Sequence, residues 1–277
     1  MNFNIITASF NSQETILDCL SSLNNQKYDK QKIKWFLIDG ASKDNTLKLI
    51  NGYKSDIQKK IISENDQGLF YAYNKGINQI LEKQSSILNF LDSDNNYFSE
   101  NIIEEISRIF DEFDVDVVFT DLIYVDKNDK VVRYWKSKPD MKICKEEKGI
   151  FFYDKINFFD HFFGWSMPLP TIFLKSSTLN KCGYFDTRYK ICSDYDWSLR
   201  LSLIKNLKIA YLPKVSVKMR LGGVSNRFGN LIKIKVEDLK IIFRFYRKKN
   251  FFLAILFSFF TLVFKNLRKL SQFFLKT

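Results

Sequence analysis

Asn89-Phe90-Leu91-Asp92-Ser93-Asp94 is an apolar run that stops abruptly in two carboxylates one residue apart. Such a run reads as a buried strand, which puts its acids at the carboxyl end, where open α/β sheets place their ligands. Carboxylate oxygens suit hard divalent cations. Mg²⁺ in particular is held by one or two carboxylates while substrate phosphates and water complete its shell. The same residues favour turns, so a strand followed by a solvated Asp-Ser-Asp-Asn-Asn loop is the plainer alternative.

On either side of this stretch, strand-like runs alternate with helical patterns, the signature of a largely parallel sheet covered by helices. Strands are expected over residues 3–8, 34–38, 60–63 and 86–91, with helices over 13–24, 44–53 and 69–81 between them. Each strand ends in polar residues, at Thr7 to Asn11, Asp39 to Ser42, Glu64 to Asp66 and Asp92 to Asp94. These ends converge on one edge of the sheet, as a nucleotide pocket requires. A helix over 100–113, strands over 115–125, 130–135 and 208–217, and helices over 176–182 and 195–203 follow. The stretch 136–167 has no clean periodicity and reads as irregular or as a lid.

The formal charge of +12 invites a nucleic-acid reading, and its distribution argues against one. From Arg227 to Thr277 there are 12 Lys or Arg against Glu237 and Asp238, so the tail carries +10 and the rest only +2. A nucleic-acid domain shows its basic surface on the globular fold itself. The apolar run 251–264 in this tail is bracketed by basic residues and is shorter than the roughly 20 residues a membrane span needs. Basic flanks around a greasy helix suit a segment lying in the headgroup region of an anionic leaflet; packing on protein is the alternative. Cys19, Cys144, Cys182 and Cys192 show no zinc-ligand spacing and read as reduced thiols in a cytosolic protein. No charged-then-apolar leader opens the chain, so secretion is not expected.

Neither GxGxxG after the first strand nor GxxxxGK[ST] is present, which removes support for dinucleotide oxidoreductases and P-loop phosphotransferases. Five motifs stand in order instead: Ile5 to Asn11, Ile38-Asp39-Gly40-Ala41-Ser42-Lys43-Asp44-Asn45-Thr46, Glu64 through Asp66, Gly68 and Tyr73 to Gly76, then Asp92-Ser93-Asp94, and Ser193-Asp194-Tyr195-Asp196-Trp197. Together they resemble the family 2 glycosyltransferases. Gly222-Gly223-Val224-Ser225 adds a likeness to transferases of colanic-acid, capsule and O-antigen biosynthesis, and the resemblance covers about residues 3 to 225.

The resemblance implies a GT-A fold, a Rossmann-like α/β architecture with a mostly parallel central sheet, over residues 1–226. Residues 227–277 would form a basic, apolar helical tail. It further implies a metal-dependent, inverting enzyme that moves a sugar from a nucleotide-diphosphate donor to a glycan acceptor, lipid-linked, at the cytoplasmic face of the plasma membrane. The implied donor-binding set is Thr7, Ser9, Asn11, Asp39, Asp66, Gly68, Lys75, Asp92 and Ser93. Asp94 is the implied ligand of a Mn²⁺ or Mg²⁺ ion, and Asp194 the base that deprotonates the acceptor hydroxyl. Asp39 can accept hydrogen bonds from a base or ribose, although Ser42 and Asp44 also read as helix caps. Asp194 can equally be a helix N-cap.

Two departures stand out. Many relatives have Glu-Asp where this chain has Ser193-Asp194, and a His where Leu169 precedes Pro170-Thr171-Ile172-Phe173. They keep open a second reading, a non-catalytic glycosyltransferase-like scaffold or nucleotide-binding subunit. The single His161, inside an aromatic stretch, reads as a packed imidazole.

Overall fold

The computed structural model describes residues 1–80, 85–139, 143–156, 158–222, 228–247 and 251–274. The expected alternation opens the chain: β1 (Phe3–Ser9), α1 (Ile16–Asn24), β2 (Ile33–Asp39), α2 (Thr46–Gly52), β3 (Gln58–Ser63), α3 (Leu69–Asn78) and β4 (Ile87–Phe90). Then come β5 (Asn95–Tyr97), α4 (Ile102–Glu112), β6 (Val117–Val125) and β7 (Val131–Trp135). The stretch expected to be irregular holds β8 (Lys145–Glu147), β9 (Ile150–Tyr153) and α5 (Phe158–Phe162). The chain continues with β10 (Ile172–Lys175), α6 (Ser176–Cys182), α7 (Ser193–Ser202), β11 (Ile209–Arg220), α8 (Leu231–Tyr246) and α9 (Phe251–Ser271). Residues 223–225 of the Gly-Gly-Val-Ser motif lie outside the described residues.

All these strands join one sheet in the order β3-β2-β1-β4-β10-β6-β11-β9-β8, with β5 on β11 and β7 on β6. The half from β3 to β4 is parallel, and β10 enters antiparallel between β4 and β6. Register aligns Ser9 with Asp39 and Asp39 with Ser63. Because the strands run the same way, their polar ends form one row along a single edge. The antiparallel segments β8, β9 and β10 have only three or four residues each. At that length partner strands, and not a local pattern, fix the conformation.

Alternation along β1 divides the core. Ile6 and Ala8 face a cluster containing Phe36, Ile38, Tyr73, Phe90 and Trp197, while Phe3 and Ile5 face one containing Trp35, Leu37, Leu20 and Ile106. Helix α3 lies so close to β1 that a Cβ on Gly76 would stand 2.5 Å from Ile6 Cγ2, so only glycine permits this approach.

The tail folds back onto the rest of the chain. A third cluster joins Tyr189, Cys192, Tyr195 and Leu199 to Ile241, Ile242, Tyr246 and Ala254. Helix α9 is longer than the apolar run suggests because it continues through Lys265, Arg268 and Lys269. No helix among the described residues is long and apolar enough to cross a membrane.

Candidate active site

The edge row is built from β1, β2 and β3. Asp39 is fully buried and accepts from the Ser42 amide at 2.9 Å, from the Ser42 hydroxyl, and from the Ser63 hydroxyl at 2.8 Å. Its carboxylate is thus locked in place by its own loop and by β3. Asn11 accepts from the Lys43 amide at 2.9 Å, and the Asn11 amide donates to Ser42 Oγ at 2.8 Å. Asn11 therefore zips the β1 loop to the β2 loop. Beside Asp39, the hydroxyl of buried Ser9 has no hydrogen-bond partner among the described residues.

Asp66 accepts from the Gly68 amide at 2.9 Å, a tight turn in front of α3. Its other carboxylate oxygen stands 3.2 Å from where a Cβ on Gly40 would lie, and the Phe10 ring 3.3 Å from the same point. Gly40 thus keeps a narrow cleft open between Phe10 and Asp66. The glycine that makes room here is Gly40; a Cβ on Gly68 would meet nothing within 4 Å.

Two expected donor residues are placed differently. Thr7 is fully buried on the same face of β1 as Phe3 and Ile5, and its hydroxyl accepts from the Trp35 indole at 2.9 Å. It presents no surface to a ligand, because strand alternation turns it away from the open edge. Lys75 pairs with Glu64 at 3.1 Å and donates to the Asn65 carbonyl at 3.3 Å. It braces the loop that carries Asp66.

The strand end that opens the sequence reading is a crowded acidic corner. Asp92 accepts from the Tyr73 hydroxyl and, at 3.3 Å, from the side-chain Nδ2 of Asn95. Burial, and after it the charges of Asp94 and Asp194, pushes its carboxyl up to about 7. Asp94 is also raised by burial, and Arg220 partly offsets this. Buried Ser93 shares a hydrogen bond with Ser12 at 2.7 Å.

Among the described residues no group of three or more His, Cys, Asp or Glu is arranged to hold a metal by itself. The donor set that fits a hard cation is Asp92 with Asp94, half-buried carboxylates whose raised affinity for protons marks negative charge short of a counter-ion. Phosphate oxygens would complete such a shell.

Asp194 lies in the first turn of α7 and accepts from the Tyr195 amide at 2.8 Å. Burial pushes it up to about 6, while Lys265 pulls it down. Its charge also raises Tyr73 and Tyr124, as that of Asp94 does, so the two carboxylates share one neighbourhood. An aromatic stack holds α7 there: Phe185 lies 5.2 Å from Trp197 and 5.2 Å from Phe90. Asn74 clamps this loop by exchanging two hydrogen bonds with the Phe185 backbone, at 2.9 and 3.0 Å.

Asp194 opens into a cavity of about 190 Å³ whose walls include Leu169, Trp135 and Met219, and, from the tail, Lys235, Asp238, Lys265 and Lys269. Leu169, the residue ahead of Pro170-Thr171-Ile172-Phe173, is thus part of the cavity wall. The chain's own His161 is buried, bonded through Nε2 to Ser202 at 2.8 Å, and pushed down to about 4 by burial. It is a packed neutral imidazole.

One residue that sequence reasoning missed is Glu237 of α8. Its carboxylate accepts from the backbone amides of Lys190, Ile191 and Cys192, each at 2.9 Å. That holds the approach to α7 from outside.

Comparison with known proteins identifies the fold and the family. The family description "Glycosyl transferase family 2" matches residues 4–168. A PGL/p-HBAD biosynthesis glycosyltransferase of Mycobacterium bovis is 23% identical over 228 residues, covering 81% of this chain and 79% of that protein. The crystal structure of Staphylococcus aureus TarS 1-349 in complex with UDP-GlcNAc superposes with a TM-score of 0.67 at 19% identity, covering 88% of this chain and 65% of that one. A mannosyltransferase of Pyrobaculum calidifontis in complex with GDP-Man and Mn2+ superposes with a TM-score of 0.60 at 13% identity, covering 100% of this chain and 76% of that one. With more than half of its length matched by the family and the GT-A architecture around its acidic edge, the chain belongs to glycosyl transferase family 2.

Proposed function

We propose that this glycosyltransferase moves a sugar from a nucleotide-diphosphate donor to a glycan acceptor by a single inverting displacement, with Asp194 as base. The observation that carries the reading is that Asp194, far from Asp92 and Asp94 in sequence, shares their electrostatic neighbourhood and opens into a separate cavity. Donor and acceptor can then meet from opposite sides. The Asp39 row and the Gly40 cleft take the nucleoside, and Asp66 faces the sugar. Asp92 and Asp94 would hold the cation, which when bound neutralises charge gathering on the departing diphosphate. Asp194 accepts the proton of the attacking hydroxyl, for which it must be ionised and within hydrogen-bond reach. The nucleotide-sugar complexes of the two structural neighbours support the donor class.

The acceptor is lipid-linked and the enzyme works on the cytoplasmic face of a membrane, to which its tail docks. Helix α9 supports this: Phe252, Ile255, Leu256, Phe259, Val263, Leu267 and Leu270 are exposed, while Ser258 and Thr261 are buried against the protein. Its amphipathicity is turned outward. Exposed Lys233, Lys240 and Arg247 supply the charge complement for an anionic leaflet. The free thiol of exposed Cys144 fits a reducing compartment.

A screen of nucleotide sugars for thermal stabilisation, with and without Mn²⁺, names the donor, since a ligand that binds only the native state raises its apparent stability. Release of nucleoside diphosphate is then expected from the wild type and not from Asp94→Ala. No stabilisation by any nucleotide sugar, or full turnover by Asp94→Ala, contradicts the reading.

A further inference from the structure

We propose that the cavity beside Asp194 is an anion site that receives a phosphate or diphosphate group of the acceptor, with Arg133, Lys235 and Lys269 as its cationic wall. The proposal rests on Asp194 being the base and adds the chemical class of what that base acts on. Five cations line the cavity, Arg133, Lys235, Lys265, Arg268 and Lys269, against the carboxylates of Asp194 and Asp238. Asp238, itself buried, is taken by Lys265 at 2.5 Å.

Arg133 is 5% exposed. Its Nε donates to the amide oxygen of Gln272 at 2.8 Å, and its guanidinium lies 4.3 Å from the Tyr124 ring centre and 5.1 Å from that of Trp135. These partners are neutral. Lys235 likewise donates to the Asn266 amide oxygen. Lys269, exposed at the rim of the cavity, has no ion pair among the described residues, and partial desolvation together with Arg133, Lys235 and Lys265 lowers its proton affinity.

Arg133, buried with neutral partners, is costly unless a ligand supplies the opposite charge, and half-buried Lys235 and rim Lys269 add to the positive charge beside it. A single carboxylate is too little for three of them. A phosphate or diphosphate matches both the charge and the forked donors of an arginine. The donor's own diphosphate belongs to the acidic corner of Asp92 and Asp94, where a cation must come first, so it does not account for this wall.

The test is titration calorimetry of the full chain in EDTA, which keeps the acidic donor corner without a cation. The probes are geranyl diphosphate below its micellar range and glycerol 3-phosphate, with geraniol and glycerol as neutral controls. A phosphate probe is expected to bind the wild type and to bind Lys235→Ala/Lys269→Ala about tenfold more weakly or worse, with Lys34→Ala/Lys54→Ala unchanged. Tighter binding of geranyl diphosphate identifies a lipid carrier headgroup as the source, and tighter binding of glycerol 3-phosphate a polyol phosphate. The proposal is overturned if neither phosphate probe binds, if the cavity double variant binds as tightly as wild type, or if UDP displaces the probe. Thermal stabilisation by nucleotide sugar with Mn²⁺ is measured on the same proteins. Its loss everywhere would strike the donor reading alone, whereas an unchanged response in the cavity variant shows that the variant is folded.

Discussion

Asp194 is subject to opposing influences. Burial and Asp238 raise its carboxyl, Lys265 lowers it, and the outcome is about 6 against an ordinary 3.8. The folded chain therefore binds this proton more tightly than the unfolded one. Ionisation of Asp194 costs stability, and the cost grows as pH rises from about 4 through about 6. Asp194→Asn, which keeps the shape and removes the charge, is expected to raise the melting temperature at pH 8 and leave it unchanged at pH 4. Discounted for partial solvent screening, the gain is about 1 kcal/mol. The same variant should lose about 10²- to 10⁴-fold in turnover, and wild-type kcat/KM should climb through pH 6 and level off above it. Thermal denaturation and initial rates across that range check both. A destabilised Asp194→Asn at pH 8 would mean that the carboxylate is held by partners and not strained by burial. The positions of Asp92 and Asp94 after a buried strand, and of Asp194 in the first turn of a helix, were legible from the apolar run and the helix start, whereas their nearness to one another was not, because a turn or an N-cap explains each acid equally well. Thr7 was misread because its motif gives the strand end without saying which face each side chain takes.

Elements bring these residues together by contacts that no local pattern encodes. Glu237 of α8 holds three amides ahead of α7, and Gly164, at φ 76°, lets α9 pass. A Cβ on Gly164 would stand 2.4 Å from the Lys265 backbone, so Gly164→Ala must both strain its own turn and displace α9. A loss of about 2–4 kcal/mol is expected from denaturant unfolding. Glu237→Gln keeps the packing but weakens charge-assisted bonds to the amides. It should lower kcat several-fold and leave nucleotide-sugar stabilisation intact, because only the approach to Asp194 loosens. Equal loss of donor binding would show that Glu237 supports the whole fold instead. The parallel strands were legible as apolar runs that end in polar residues, and the helices between them by an apolar face, whereas β5, β8, β9 and β10 exist through their partners. The tail's role in the cavity wall was not legible, since Lys265 and Lys269 read as basic flank until α9 brings the first to Asp238 and sets the second at the cavity rim.

At the scale of the molecule, α9 separates two environments. Its inner face carries Lys265 to the cavity, with Gln272 just past its end, and its outer face exposes an apolar stripe from Phe252 to Leu270. A helix that merely packed on the domain would bury that stripe, because burial of apolar area is what normally docks a helix. Here shared contacts around Ala254 and Tyr246, with the Lys265–Asp238 pair, do the docking, and the apolar face stays uncovered among the described residues. A bilayer interface fits it, and would set the acceptor cavity beside the layer where a lipid-linked acceptor resides. Truncation after Arg244 is a poor test, since it removes the cavity wall together with the apolar face. Phe252→Ser, Leu256→Ser and Phe259→Ser combined change only exposed side chains, so the melting temperature should hold. Binding to vesicles containing anionic phospholipid should fall by roughly 100-fold or more, at about 1–2 kcal/mol for each apolar side chain withdrawn from the interface. Vesicle co-sedimentation measures this, and sedimentation velocity without lipid separates the rival occupant. If the wild type is a dimer that the triple variant dissolves, while vesicle binding is unchanged, the outward face of α9 serves a second copy of the chain and the membrane reading falls.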